Sequence, residues 1–351
     1  MLKKAAALFL AGVSLATWTS CGKVTNQYLF AAIPGASQIG SYREDPNSGV
    51  LTLVTGSPFT AGPAVESLVV HPSGKFLYSV NSGEGDLSLF NVASGVLTEV
   101  TPRTVVGAVP TKLVMDSAGG FLYVGNAGSN NISVFSIDPT AGGLSQVTGS
   151  PFPTGISPLN MKLSPSGNFL YVTGAGTPGY IEVFSIDAGI LSIVQIIQPG
   201  TNPYGLAMDS TGSHLYTANT GDNTISEYSI AADGSLTELS GSPLGEVYTT
   251  PISLLIDNSG KYLFVVNQGS SNLGAYSIGS DGSLTLLTNS PFAAATQPVS
   301  ISTDPSGKYL FVGNQSGPVI QSFSLDVGSG TLTSVATYSV GNTPTSIAVT
   351  Q

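Results

Sequence analysis

His71-Pro72-Ser73-Gly74-Lys75-Phe76-Leu77-Tyr78 reads as a tight turn running into an apolar strand, and it decides the fold because it recurs. The same turn and strand return at 116–123, 164–171, 209–216, 257–264 and 304–311. Leu77, Leu122, Leu170, Leu215, Leu263 and Leu310 hold the register, at separations of 45, 48, 45, 48 and 47 residues. A fixed period of this length marks a repeat architecture. A seventh copy is split across the chain ends. Tyr28-Leu29-Phe30 matches the strand but lacks the segment before it, and Thr345-Ser346-Ile347-Ala348-Val349 supplies that segment.

Each copy predicts four short strands; in the second they are 67–70, 76–80, 86–92 and 96–100. Pro-Ser-Gly turns separate the first two strands, and Asp233-Gly234 or Asp281-Gly282 hairpins the last two. Second strands such as Tyr262-Leu263-Phe264-Val265-Val266 are apolar on both faces, so each must lie between stacked sheets. The pattern predicts an all-β, seven-bladed β-propeller with four-stranded blades. Its ring is closed by pairing the N-terminal strand from Tyr28 with the C-terminal strand from Ser346, which leaves no open edge. A two-sheet sandwich explains neither the seven copies nor the split one.

Composition agrees. Hydrophobic residues make up 41% and charged residues 9%, enough for a core and too apolar for a disordered chain. The 43 glycines and 22 prolines are dispersed, as many tight turns require. A net charge of −10 with no basic stripe excludes nucleic acid as a partner.

The N-terminus reads as an address. Lys3 and Lys4 precede an apolar run from Ala5 to Ala16, too short to span a membrane. Thr17-Trp18-Thr19-Ser20-Cys21-Gly22 follows and holds the only cysteine. The segment resembles a bacterial lipobox, with Trp18 where leucine is usual. The resemblance implies a signal peptide over residues 1–20, a lipid on Cys21, an anchored linker over 21–27 and a propeller over 28–351. Gly22 stands where an aspartate would favour the inner membrane, so an outer-membrane, periplasmic or cell-surface location is expected. The alternative is cleavage after Ser14-Leu15-Ala16, with Cys21 unmodified and the chain secreted.

The second strands also carry a resemblance. Leu77-Tyr78-Ser79-Val80-Asn81, Leu122-Tyr123-Val124-Gly125-Asn126 and Leu310-Phe311-Val312-Gly313-Asn314 resemble the Tyr-Val-Thr-Asn signature of YVTN propellers. With Asp304-Pro305-Ser306-Gly307-Lys308, residues 26–351 resemble the bacterial seven-bladed lactonase family, which includes 6-phosphogluconolactonase-type enzymes and relatives of fungal muconate-lactonising enzymes. The resemblance implies the fold and, as one reading, lactone hydrolysis. The shared residues build blades, not a site. WD-type signatures are absent, and the only tryptophan lies in the leader.

Propeller ligands bind at one mouth of the central channel. The innermost strands begin Glu66-Ser67, Thr111-Lys112, Leu159-Asn160, Tyr204-Gly205, Ile252-Ser253, Val299-Ser300 and Thr345-Ser346. Glu66, Lys112 and Asn160 fall in successive blades and are predicted to converge, with Arg103, Lys162 and Tyr204 as further ligand-binding candidates. A carboxylate beside an ammonium suits polarising a lactone carbonyl: Glu66 as base, Lys112 or Arg103 as stabiliser. The alternative is a set of water-filled channel residues with no reactive role. His71 and His214 fall on the opposite face. No Gly-x-Ser-x-Gly elbow and no His/Cys cluster is present, so no cofactor and no metal is expected. The recurring Asp116, Asp209, Asp257 and Asp304 read as turn caps rather than calcium ligands.

Two functions follow. One is a monomeric, membrane-tethered platform that binds a small molecule, glycan or protein at the channel mouth. The other is a lactone hydrolase. Since 6-phosphogluconolactone arises in the cytosol, an exported hydrolase would act on another, extracytoplasmic lactone. A redox propeller is disfavoured by the absence of a heme motif.

Overall fold

A computed structural model describes residues 26–175, 178–245 and 248–350. The leader, Cys21 and most of the proposed linker lie outside the described residues. Seven antiparallel sheets form seven blades. Blade 2 comprises the inner strand Val65–Val70, then Phe76–Asn81, Asp86–Ala93 and the outer strand Val96–Val105. The only helical element among the described residues is one short turn, Pro34–Ala36.

Blade 1 is the split copy. Its second strand, Gln27–Ile33, pairs with the C-terminal Ser346–Val349, setting Leu29 against Val349 and Ala32 against Ser346. Flanking bonds lock both ends: Thr345 N–H donates to Ala32 at 3.0 Å and Thr350 N–H to Tyr28 at 2.9 Å. The predicted closure is the observed one.

The core is distributed around the ring. Phe76, Tyr78 and Leu87 of blade 2 pack on Leu122 and Phe135 of blade 3, and comparable clusters fill the other interfaces. The ring at the head of each second strand meets a left-handed glycine in the next blade's outer hairpin. At Gly142, with φ of +71°, a Cβ would lie 2.7 Å from the Phe76 ring, so only glycine lets the aromatic seat. The Tyr78 hydroxyl donates to the Gly142 carbonyl at 2.7 Å, and Tyr171 and Tyr216 repeat the bond to Gly234 and Gly282. The motif tyrosine therefore fastens blade to blade. The motif asparagine turns inward: Asn81 Nδ2 donates to Asp86 at 2.7 Å and to Ser88 at 2.9 Å, tying the second strand to the third.

The aspartate turns cap themselves. Asp304 accepts backbone bonds from Ser306 at 3.0 Å and Tyr309 at 2.8 Å, and Asp257 does the same for Ser259 and Tyr262. His71 fills the equivalent place, with Nδ1 2.8 Å from the Ser73 hydroxyl.

The outer strands differ from expectation. In blades 1, 3, 5 and 6 the strand breaks at a Ser-Pro step and resumes as two paired residues, Phe59–Thr60, Phe152–Pro153, Leu244–Gly245 and Phe292–Ala293. The serine hydroxyl repairs the ladder: Ser57, Ser150, Ser242 and Ser290 Oγ accept the N–H of Ser41, Val134, Glu227 and Ala275.

Glu44 breaks the repeat. Counting along the third strands, its place is filled elsewhere by Val92, Ile137, Ile186, Ile230, Ile278 and Leu325. Glu44 is 2% exposed, and neither carboxylate oxygen has a hydrogen-bond partner. Burial, with the nearby charges of Asp304 and Asp45, pushes its pKa up to about 8. The folded chain therefore keeps a proton that the unfolded chain loses near pH 4.5, so stability falls as pH rises from there to about 8. Glu44→Leu is expected to raise the unfolding free energy by about 2–4 kcal/mol at pH 8 and by much less at pH 5. Thermal unfolding at the two pH values checks this; an equal gain at both refutes a buried, protonated Glu44.

Candidate functional site

Most inner strands enter the channel through one backbone device. A left-handed residue comes first in five blades: Ala64, Val109, Asn202, Thr250 and Gln297, with φ of 50–58°. For β-branched Val109 and Thr250 this conformation is strained and needs support from its surroundings. The carbonyl of each accepts the N–H that follows a second strand, from Ser82, Ala127, Thr220, Gln268 and Gln315. The ladder then slips, leaving a residue unpaired between Val65 and Ser67, Pro110 and Lys112, Pro158 and Asn160, Pro251 and Ser253, and Pro298 and Ser300. A bulge re-aims the side chain it carries. The bulged residues are Glu66, Thr111, Leu159, Ile252 and Val299, with Tyr204 at the wider slip in blade 5.

These residues meet at one mouth. A cavity of about 430 Å³ is lined by Glu66, Ser67, Thr111, Lys112, Leu159, Asn160, Tyr204, Ser253, Ser300, Thr345 and Ser346, with Thr220, Gln268 and Gln315 on its rim loops. The structure thus brings together Glu66, Lys112, Asn160 and Tyr204. Lys162 lies further along its strand, in a second cavity that continues the channel.

Arg103 corrects the sequence reading. Blade 2's outer strand runs unbroken to Val105, which holds Arg103 on the blade, outside the cavity lining. Its Nε lies 2.7 Å from Glu99, and its Nη1 lies 3.1 Å from Glu84 and 3.7 Å from Asp86. These carboxylates hold the guanidinium on the blade, apart from the cavity that Glu66 and Lys112 line.

Neighbours tune the remaining groups. Burial holds the Glu66 carboxyl above the usual carboxylate range, opposed by the Ser82 hydroxyl at 3.4 Å. The Thr345 hydroxyl donates to the Glu66 carbonyl at 3.0 Å, so the ring-closing strand also positions this residue. Enclosure by the channel wall, together with the charge of Lys162, lowers Lys112 to about 8. Burial raises the Tyr204 phenol, and the Glu66 charge adds to that rise, which puts the two within electrostatic reach. Asn160 Oδ1 accepts the Met161 N–H at 2.9 Å, and its amide nitrogen has no partner among the described residues. The mouth therefore offers a carboxylate of raised basicity, an ammonium of lowered pKa and a surround of hydroxyls and amides. That set suits activating water beside a polarised carbonyl. The rim glutamines and threonines escaped the sequence reading, although each lies one to three residues past a motif asparagine or just ahead of an inner strand.

Comparison with known proteins places this geometry. The family model described as lactonase, seven-bladed β-propeller, matches residues 55–156, 153–242 and 249–349. No curated protein matches the chain. Among solved structures, a protein from Lactobacillus plantarum superposes with a TM-score of 0.81 at 19% identity, over 93% of this chain and 99% of that one. A candidate 6-phosphogluconolactonase from Bacteroides fragilis gives 0.80 at 21% identity, over 94% and 99%. The periplasmic gluconolactonase of Pseudomonas aeruginosa gives 0.77 at 19% identity, over 93% and 99%. At these identities the superpositions speak for the fold, whereas the family model reads the sequence itself across most of its length. The chain belongs to the lactonase family of seven-bladed β-propellers.

Proposed function

We propose that the chain hydrolyses a small sugar-type or other lactone at this mouth, outside the cytoplasm. The observation that carries the reading is the convergence of Glu66 and Lys112 on one polar cavity in a lactonase-family ring. In the proposed reaction, Glu66 takes a proton from water as the water oxygen bonds to the carbonyl carbon. The carbonyl electrons move onto oxygen, facing the Lys112 ammonium. Collapse breaks the ring C–O bond, and the alkoxide takes the proton back from Glu66. Asn160, Tyr204 and the serine hydroxyls orient the ring.

The leader-like sequence with Cys21 supports export and a lipid anchor at the outer membrane or cell surface, and the Pseudomonas relative is itself named periplasmic. That setting favours lactones other than 6-phosphogluconolactone. A second reading, a non-catalytic platform for a protein, glycan or small ligand, is favoured by the hydroxyl-rich mouth and by Tyr204, which is 41% exposed at its rim.

The test is pH-stat hydrolysis of gluconolactones, 6-phosphogluconolactone and muconolactone-type substrates. Wild type is compared with a Glu66→Gln, Lys112→Ala double variant. Turnover above the spontaneous rate that vanishes in the variant supports the hydrolase. Absence of turnover on every substrate moves the site to the platform reading.

A further inference from the structure

We propose that the axial channel, inward of the candidate site, holds a small oxyanion between Lys112 and Lys162. This goes beyond the hydrolase reading and stands without it. The second cavity, of about 390 Å³, shares Lys112, Asn160, Ser253 and Ile301 with the mouth cavity, so the two are consecutive compartments of one channel.

Lysine usage singles out the pair. Among the described residues, Lys75, Lys261 and Lys308 sit exposed in the repeating surface turn, as solvated charges normally do. Lys112, half-buried, and Lys162, exposed to the channel space, instead line the second cavity, on the inner strands of adjacent blades. Neither ammonium has a protein hydrogen bond or a salt-bridge partner among the described residues. The ladder sets Lys162 opposite Tyr171. Residues at that level in other blades include Val69, Val114, Ala207 and Leu255, opposite Tyr78, Tyr123, Tyr216 and Phe264. Blade architecture does not require a cation there.

The channel wall disfavours both charged forms, and the Lys162 charge disfavours that of Lys112 as well, so a negative charge beside them relieves both. The depression of Lys112 to about 8, caused by enclosure and by Lys162, is the cost that an anion would remove. The inner strands are sheet edges and offer further backbone N–H donors along the channel wall. Ammonium and backbone N–H groups together select oxyanions. One source is a free phosphate-type anion; the other is a carboxylate, such as the acid released by opening a lactone.

Thermal unfolding of the full chain, titrated with inorganic phosphate or with gluconate at constant ionic strength, tests the site. The midpoint is expected to rise along a saturating curve with at least one of them. Lys162→Met should weaken the apparent affinity more than ~10-fold, whereas Lys162→Arg should retain it. The apolar residues at this level in four other blades make methionine tolerable, and an unchanged anion-free midpoint verifies the fold. Saturation by phosphate alone identifies the phosphate-type source, and saturation by gluconate alone the carboxylate. No saturation with either anion, or the same affinity in Lys162→Met, overturns the proposal. Because the readout is binding, it survives a failure of the hydrolase reading, and Glu66→Gln should leave it in place.

Discussion

Glu66→Gln is expected to lower kcat/KM for lactone hydrolysis by about 10²- to 10³-fold, the size of the loss when a positioned general base is removed. The amide keeps the shape of the side chain and its contact with Ser82, so the fold and the cavity should be unaffected. The pH profile separates the two roles. Glu66 must be ionised to accept a proton, so activity rises with pH on the acid side, at a pH above the usual carboxylate range because burial raises this group. Lys112 must be protonated to face an oxyanion, so activity falls above about pH 8, once the spontaneous rate is subtracted. Lys112→Arg should remove the alkaline limb, since a guanidinium stays charged throughout. Lys112→Ala should lower the whole profile. An alkaline limb that persists in Lys112→Arg assigns it to another group.

Removing residues 345–351 is expected to abolish the native ring. The deletion strips blade 1 of its inner strand, together with the ladder from Leu29–Val349 to Ala32–Ser346. It also exposes the edge of Gln27–Ile33, whose Leu29, Phe30, Ala31 and Ala32 are fully buried. Unpaired apolar edges template aggregation. The loss should exceed about 5 kcal/mol, seen as a fall of roughly 10–20 °C in the unfolding midpoint or as failure to recover soluble protein. A midpoint within 3 °C or so of wild type would mean that closure contributes little. The same deletion removes the Thr345 bond to Glu66, so ring closure and site geometry rest on one strand.

The sequence made the ring legible because every blade solves the same packing problem. The turn, the apolar second strand and the motif tyrosine and asparagine each have one job, repeated around the axis. The placement of the mouth residues was legible for a related reason. Inner-strand starts lie at a fixed offset from the register leucines, so Glu66, Lys112, Asn160 and Tyr204 could be placed on one mouth from spacing alone. Arg103 was misplaced because Thr101-Pro102 resembles the Ser57-Pro58 step at which blade 1 breaks its outer strand. In blade 2 the strand continues through the proline, and Glu99, Glu84 and Asp86 draw the guanidinium onto the blade. The bulges and the left-handed Val109 and Thr250 carry no residue-type signal. They follow from feeding seven strands into a ring, which is a tertiary demand rather than a local preference.

The direct test of the account is to find where a lactone sits. Crystals of the Glu66→Gln variant, soaked with the best-turned-over lactone, should show its carbonyl oxygen within hydrogen-bond reach of Lys112 Nζ. The ring should lie against Asn160 and Tyr204. Density at the opposite face, beside His71 or His214, or on the outer strands, would contradict the assignment of the chemistry to this mouth.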